Sequence, residues 1–420
     1  MSITASFYSG LSGLSAQATA MQVIGDNIAN VHTTGFKGST VHFADVLGVA
    51  LTGVSGGNQT GAGTEVSSVD LNFIQGSLDT TNLSTDLAIN GRGFFVVKDA
   101  SSEEVFYTRA GHFNFDNQGY FVNPLGYRVQ GYLYDDTGTS LFENLADIWV
   151  NKNSMIDPQV TGEIDMVLNL DASESVKTWE ETSPYDTSNF ATSLSIFDSL
   201  GQSHPIQIFF TKSAGGVWDW YAMIDGSELD GGTAGELVEF GSGTIEFDSS
   251  GKLTTTMPLT FHSGGLTYAN GCPSSACEID FTGTTQFGSP SVVQIVNQDG
   301  YTAGTISQVN IDEEGNMVAY YTNGKRQKIA RLVVADFPNL SGLSRKGSNL
   351  YQATTTSGDP IYNKPGVGGM GTIFASMLEE SNVDIAAELI KMIITQRGYQ
   401  ANIKVISTTD EMLAQLMNIR

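Results

Sequence analysis

The residues able to do chemistry are few, and their spacing does not suit catalysis. His32, His42, His112, His204 and His262 are scattered without metal-ligand spacing, so solvated or capping roles fit them better than a metal centre. Gly53-Val54-Ser55-Gly56-Gly57 matches the letters of a nucleophile elbow, but that motif needs a strand before it and a helix after it. Here it lies inside a Gly/Ser/Thr-rich stretch. Gly91 and Gly93 lack the third glycine and following helix of a dinucleotide loop, and read as a strand bend. Asp116 to Gly119, Asp248 to Gly251 and Asp312 to Gly315 each open with Asp and close with Gly, the chemistry of hairpin tips. They lack the alternating oxygen ligands and distal Glu of a calcium loop. Cys272 and Cys277 are the only cysteines, in "NGCPSSACEID", where Pro and Ser predict a tight loop. A disulfide between them stays open, and the absence of a nearby His argues against zinc. No catalytic, cofactor or metal site emerges, and the chain is expected not to be an enzyme.

The elements that would position any site carry a clearer message. A length of 420 residues allows two or three domains with their own cores. The 47 glycines, with many Ser, Thr and Asn, point to turn-dense β structure. A formal charge of -25 argues against nucleic acid and anionic membrane surfaces, both of which call for Lys/Arg patches. No run approaches the roughly 18 apolar residues that span a bilayer, and the first 25 residues lack the basic start and continuous apolar core of a cleaved signal.

Helical periodicity is confined to the two ends. Phe7, Leu14, Met21 and Ile28 recur every seventh position, as do Leu378, Ile385, Met392, Tyr399, Ile406 and Leu413. Ser381 or Asn382 reads as the cap of the second helix, with Asp384 in its first turn. The first helix lacks a charged outer face, and Ile390, Ile393, Ile394, Val405, Met412 and Leu416 spread apolar surface well beyond one seam. Gly10, Gly13 and Gly25 each cost about 1 kcal/mol against Ala, and with Ser and Thr the penalty approaches ~6 kcal/mol. Burial of four seam residues at about 2 kcal/mol each roughly cancels it, so these ends are expected to order only when packed against neighbours.

The fold expected is mainly β and multidomain, with terminal α-helical coiled-coil segments packed together and the domains nested discontinuously. Residues 1–36 and 370–420 form the helical domain, and 37–70 a linker. Residues 71–150 and 288–369 form a first β domain from strands such as "LAINGRGFFVV" and "YRVQGYLY". Residues 151–287 form an acidic outer β domain with four Lys/Arg against nineteen Asp/Glu, a net of -15. Sticky ends around β domains suit a subunit that polymerises through heterologous contacts.

"SFYSGLSGLSAQATAMQVIGDNIANVHTTGFKGS" resembles the opening of the flagellar rod and hook proteins, with Asn27, Asn30, Thr34, Gly35, Phe36 and Lys37 on the family's turn. "LEESNVDIAAELIKMIITQRGYQANIKVISTTDEMLAQLMNI" resembles their closing helix, and "DLAINGRGFFVV" their first β domain. The chain's length suits the hook members better than the shorter rod members, with a distal rod protein carrying an added domain as the alternative. The resemblance implies a homopolymeric, hollow, curved and flexible tube that joins motor rod to filament and transmits torque, with terminal helices lining it. It also implies an extracellular place in the flagellum, reached through the type III export apparatus without a cleaved leader. A distal rod protein, hook cap, hook-filament junction protein and hook-length control protein are the implied partners, with no nucleic acid and no membrane insertion. Phe43 and Leu47 match a Phe-x-x-x-hydrophobic element that engages the export gate in related subunits. On this resemblance, the uncharged first helix is buried among copies and Gly35 lets the backbone turn out of that layer.

Overall fold

A computed structural model describes residues 3–47, 61–135, 138–151 and 154–418. The Gly53 to Gly57 elbow sequence lies outside the described residues. The chain divides into two compact units, residues 1–152, 308–320 and 326–420 forming one, and 153–307 with 321–325 the other.

The first unit carries both long helices, Ile3–Ala29 and Ile385–Asn418. They pack against each other antiparallel. A Cβ on Gly10 would meet Ile406, one on Gly13 would meet Asn402, and one on Gly398 would meet Gln17. Small residues let the backbones approach, so the deeply buried stripe of the first helix is Gly10, Gly13, Ala16, Ala20, Ile24 and Asn27. The expected seam of Phe7, Leu14, Met21 and Ile28 lies one step round the helix and is half-buried. On the second helix Met392, Tyr399, Ile406 and Leu413 are half-buried, alternating with Glu388, Thr395, Asn402 and Thr409. The expected start of that helix needs correction. Leu378 is in the strand Met377–Glu379, and the helix begins at Ile385 with Asp384 as its cap, accepting from the Ala386 and Ala387 N–H at 2.8 and 3.3 Å.

The expected linker also contains order. Ser39–Asp45 and Thr64–Leu71 pair antiparallel, with a bulge at His42/Phe43. Beyond them a twisted sheet runs through Asn316–Tyr321, Arg326–Leu332, Arg128–Tyr134, Phe94–Lys98, Val105–Thr108, Leu350–Gln352 and Ser344–Gly347. Both faces of the central strand are buried, which is why "FFVV" reads as a continuous apolar run rather than an alternation. Gly91 and Gly93, at φ +114° and +119°, make the bend before it. Two short ladders return the chain to the helices: Thr372–Ala375 on Leu87–Asn90, and Met377–Glu379 on Leu78–Thr80.

The acidic unit is built from two four-stranded sheets. One runs Phe190–Phe197, Ser203–Ala214, Val217–Asp225 and Leu237–Glu246 in sequence order, all antiparallel. The other runs Leu259–His262, Cys277–Asp280, Glu163–Asn169 and Val292–Gln298. Trp218, Trp220, Ala222 and Ile224 from the first and Ile164, Met166 and Leu168 from the second share one core, as their period-two spacing requires. The expected boundary at 287 is therefore corrected. Val292–Gln298 pairs antiparallel with Glu163–Asn169 and closes this sheet instead of joining the return segment. A β-rich, uncharged segment carries no local mark of which sheet it completes.

Candidate functional site

The family-like turn and the segment before the C-terminal helix converge on one buried ionic junction. Asn27, at the end of the first helix, accepts from the Ser39 N–H and donates to the Ser39 carbonyl, both at 2.8 Å. Its amide also reaches Glu388 Oε2 of the second helix at 3.3 Å. Asn30 folds back on Asp26 and accepts from the Thr33 hydroxyl at 3.1 Å, closing the helix into the turn. The Thr34 carbonyl accepts from Asn349 Nδ2 at 2.7 Å. Gly35, at φ +69°, presses on the β unit so closely that a Cβ there would sit 2.5 Å from the Ala110 nitrogen. Phe36 is buried, with the Arg345 guanidinium 5.3 Å from its ring centroid.

Lys37 and Glu379 are both fully buried and meet at 2.6 Å. The Lys37 ammonium also donates to the Ile74 carbonyl at 2.8 Å. Glu379 further accepts from the Gly76 N–H at 2.9 Å and from Arg109 Nη1 at 3.2 Å. Arg109 donates onward to the carbonyls of Ile89 and Gly91 at 3.3 and 2.7 Å. Burial pulls both cations below their ordinary values, and Glu379 opposes it. Two cations thus share one carboxylate, backbone carbonyls take further donors of each, and among the described residues the buried Arg109 Nε is left without a partner. Asn382 completes the knot, accepting from the Gly38 N–H at 2.9 Å and donating to the carbonyls of Asn72 and Ile74 at 2.7 and 3.0 Å. Five sequence-distant stretches are locked by side chains whose removal strands a buried partner.

Glu379 and Arg109 were not singled out by sequence reasoning. The available signal was Lys37 itself: a lysine on a turn following a helix whose single charge is Asp26 needs a carboxylate if it is buried. Which carboxylate supplies it depends on tertiary pairing.

The other sequence candidates are separate from this junction. Phe43 is exposed on its strand and Leu47 is exposed after it. Cys272 and Cys277 are free, buried thiols, so the disulfide left open is not formed. Cys272 shares a 2.9 Å hydrogen bond with the Ser199 hydroxyl, and burial pushes the Cys277 thiol up to about 12. Two histidines depart from the solvated role expected. His204 is buried, 2.7 Å from Glu228 and 3.3 Å from Asp198, and stacks on Tyr268. His262 is buried between the Phe240 carbonyl and the Ser274 hydroxyl. Among the described residues no group of three His, Cys, Asp or Glu side chains is placed to hold a metal ion. No helix among them is long and apolar enough to cross a membrane.

Comparison with known proteins matches four segments to family models. Residues 7–37 match the flagella basal body rod protein family, and 88–162 the flagellar hook protein FlgE/F/G D1 domain. Residues 169–301 match the flagellar basal body protein FlaE D2 domain, and 375–419 the flagellar basal body rod FlgEFG protein C-terminal family. The flagellar hook protein FlgE of Treponema pallidum is 33% identical over 464 residues, covering 99% of each chain. That of Escherichia coli K12 is 32% identical over 424 residues, covering 99% of this chain and all of the relative. The crystal structure of Helicobacter pylori flagellar hook protein FlgE2 superposes with a TM-score of 0.52 at 15% identity, over 72% of this chain and all of that one, a likeness of fold.

Proposed function

The chain belongs to the flagellar hook protein FlgE family and is a structural subunit of the flagellar hook, and from that premise we propose how its structure serves assembly. Copies associate through the helix pair into a hollow, curved, flexible tube that couples the motor's rod to the filament and carries torque. The observation that carries this reading is the helix pair's unspent apolar surface. The first helix is covered along its small-residue stripe by the second, yet Ile390, Ile393, Ile394, Val405 and Met412 remain exposed. So large a row of aliphatic side chains calls for further helices, and identical copies supply them.

The Lys37–Glu379–Arg109 junction then has a mechanical role. It ties the helices to the β framework of the same unit, so that load on the helices passes into the sheets without a hinge at the turn. Phe43 and Leu47 are accessible for recognition by an export gate, which supports delivery through the type III apparatus. Distal rod protein, hook cap, junction protein and length-control protein are the partners this role calls for. The acts required are binding and load-bearing, and no side-chain constellation is assigned a catalytic role.

Electron microscopy of polymer grown from the purified chain tests the reading. Curved, bendable tubes are expected. A straight, stiff shaft would favour the distal rod role, and a chain that stays monomeric at high concentration would overturn self-assembly.

A further inference from the structure

The helix-bearing unit holds a cavity of about 250 Å³ beside the ionic junction, with Phe73, Gly93, Phe94, Arg109, Asp336 and Leu340 in its lining. The strands around it explain its polar wall. Ala335 pairs with Phe94, so the next rung carries Asp336 beside the bend at Gly91 and Gly93. Arg109 follows the strand Val105–Thr108 and sets its guanidinium 5.4 Å from the Phe94 ring centroid. Among the described residues, two polar atoms of this lining are buried without a hydrogen-bond partner: Arg109 Nε and Asp336 Oδ1. The rest of each side chain is held. The Arg109 side chain is 5% exposed, and its Nη atoms are committed to Glu379, Ile89 and Gly91. Asp336 Oδ2 is 2.8 Å from Arg92, which leaves Oδ1 over. A buried donor on a cation and a buried acceptor on an anion are both costly to leave unpaired, and here they border one space.

We propose that this cavity binds a small zwitterion, an aliphatic α-amino acid, with its carboxylate on Arg109 Nε, its ammonium on Asp336 Oδ1 and its side chain against Phe73, Phe94 and Leu340. Charge selects the class. A plain carboxylate would answer Arg109 but leave the Asp336 oxygen facing a like charge, and a plain amine would do the reverse at Arg109. Water could bond to both atoms, yet it would also wet the apolar floor, where Phe73 and Phe94 meet edge to face at 5.7 Å. Size limits the ligand, because the space falls below the roughly 300–1,000 Å³ of pockets for drug-sized molecules. Occupancy gives Arg109 its missing partner and thereby stabilises the junction it shares with Glu379 and Lys37. The site lies wholly within one unit of one chain, so it stands apart from assembly.

Equilibrium dialysis of the full monomeric chain against radiolabelled L-valine tests this. Saturable binding at millimolar concentration is expected, together with a later melt of the helices by circular dichroism. Isovalerate, which lacks the ammonium, and isobutylamine, which lacks the carboxylate, should each compete about tenfold more weakly, for want of one charge-assisted bond. Asp336→Asn should weaken valine binding by about the same factor. Leu340→Trp, from a half-buried turn, fills the floor and should abolish it. Either variant counts where its circular dichroism matches wild type. Binding that never saturates at tens of millimolar would overturn the site and leave the cavity to solvent. Competition by isovalerate or isobutylamine equal to that of valine, or undiminished binding to either folded variant, would overturn it as well.

Discussion

Glu379 is the residue on which the junction turns, because among the described residues it is the only carboxylate paired with both Lys37 and Arg109. Breaking a buried ion pair by removing one partner typically costs about 3–5 kcal/mol, since the remaining charge stays desolvated. Glu379→Gln keeps the volume and discards the charge, so urea unfolding of the helix-bearing unit should lose about that much stability. Adding Lys37→Met to Glu379→Gln should recover part of the loss. Equal midpoints for wild type and single variant would show that the ions do not depend on one another. Lys37 and Gly35 were legible in the sequence as turn residues. The depth of their burial was not, because burial is a property of what Ala110, Ile74 and Glu379 bring to them.

The helices illustrate how a periodic pattern can be read correctly for type and incorrectly for face. Heptad spacing marks Phe7, Leu14, Met21 and Ile28, yet contact is made by the adjacent small-residue stripe. Close approach of two backbones gains more dispersion contact per residue than side chains held farther apart. Gly13 sits under Asn402, whose amide atoms lie within 3.0 Å of where a Cβ would be. Gly13→Val should therefore push the helices apart at a cost of about 1–3 kcal/mol. Circular dichroism at 222 nm should show an earlier melt of the helices, and Asn402→Ala in the same chain should restore it. An unchanged melt would mean that the Gly13 to Asn402 contact does not set the helix spacing. Of the polar residues along this face, Glu388 accepts from Asn27 of the first helix at 3.3 Å, while the Thr395 and Thr409 hydroxyls donate to the Lys391 and Val405 carbonyls of their own helix.

The whole molecule carries its charge unevenly, and this makes the acidic unit respond to pH. Asp171, Asp225 and Asp248 accept from the hydroxyls of Ser173, Ser227 and Ser250, which hold each carboxyl below its ordinary value of 3.8. Burial pushes Asp198 the other way but is outweighed by hydrogen bonds from Asn270, the Gln202 N–H and His204. A depressed folded value means that these contributions are complete above 3.8 and are lost as pH falls through the folded values. Three of the four tryptophans, Trp179, Trp218 and Trp220, lie in this unit, so fluorescence melts report on it. The melting midpoint should be flat above about pH 5 and fall below it, with a shallower fall in Asp248→Asn. A midpoint unchanged down to about pH 2 would contradict the hairpin-tip bonds.

At this scale the division between sequence and structure is clear. Sequence alone determined helical ends, β texture between them, hairpin tips at Asp and Gly, and a segregated acidic segment, because each depends on neighbours within a few residues. It also carried the family resemblance at both termini. Tertiary structure alone decided that Glu379 answers Lys37, that Gly13 meets Asn402, that Leu378 belongs to a strand, and that Val292–Gln298 completes the acidic unit's sheet. Those outcomes depend on pairings across tens to hundreds of residues. Several partners would satisfy the local chemistry, and only the packed chain selects among them.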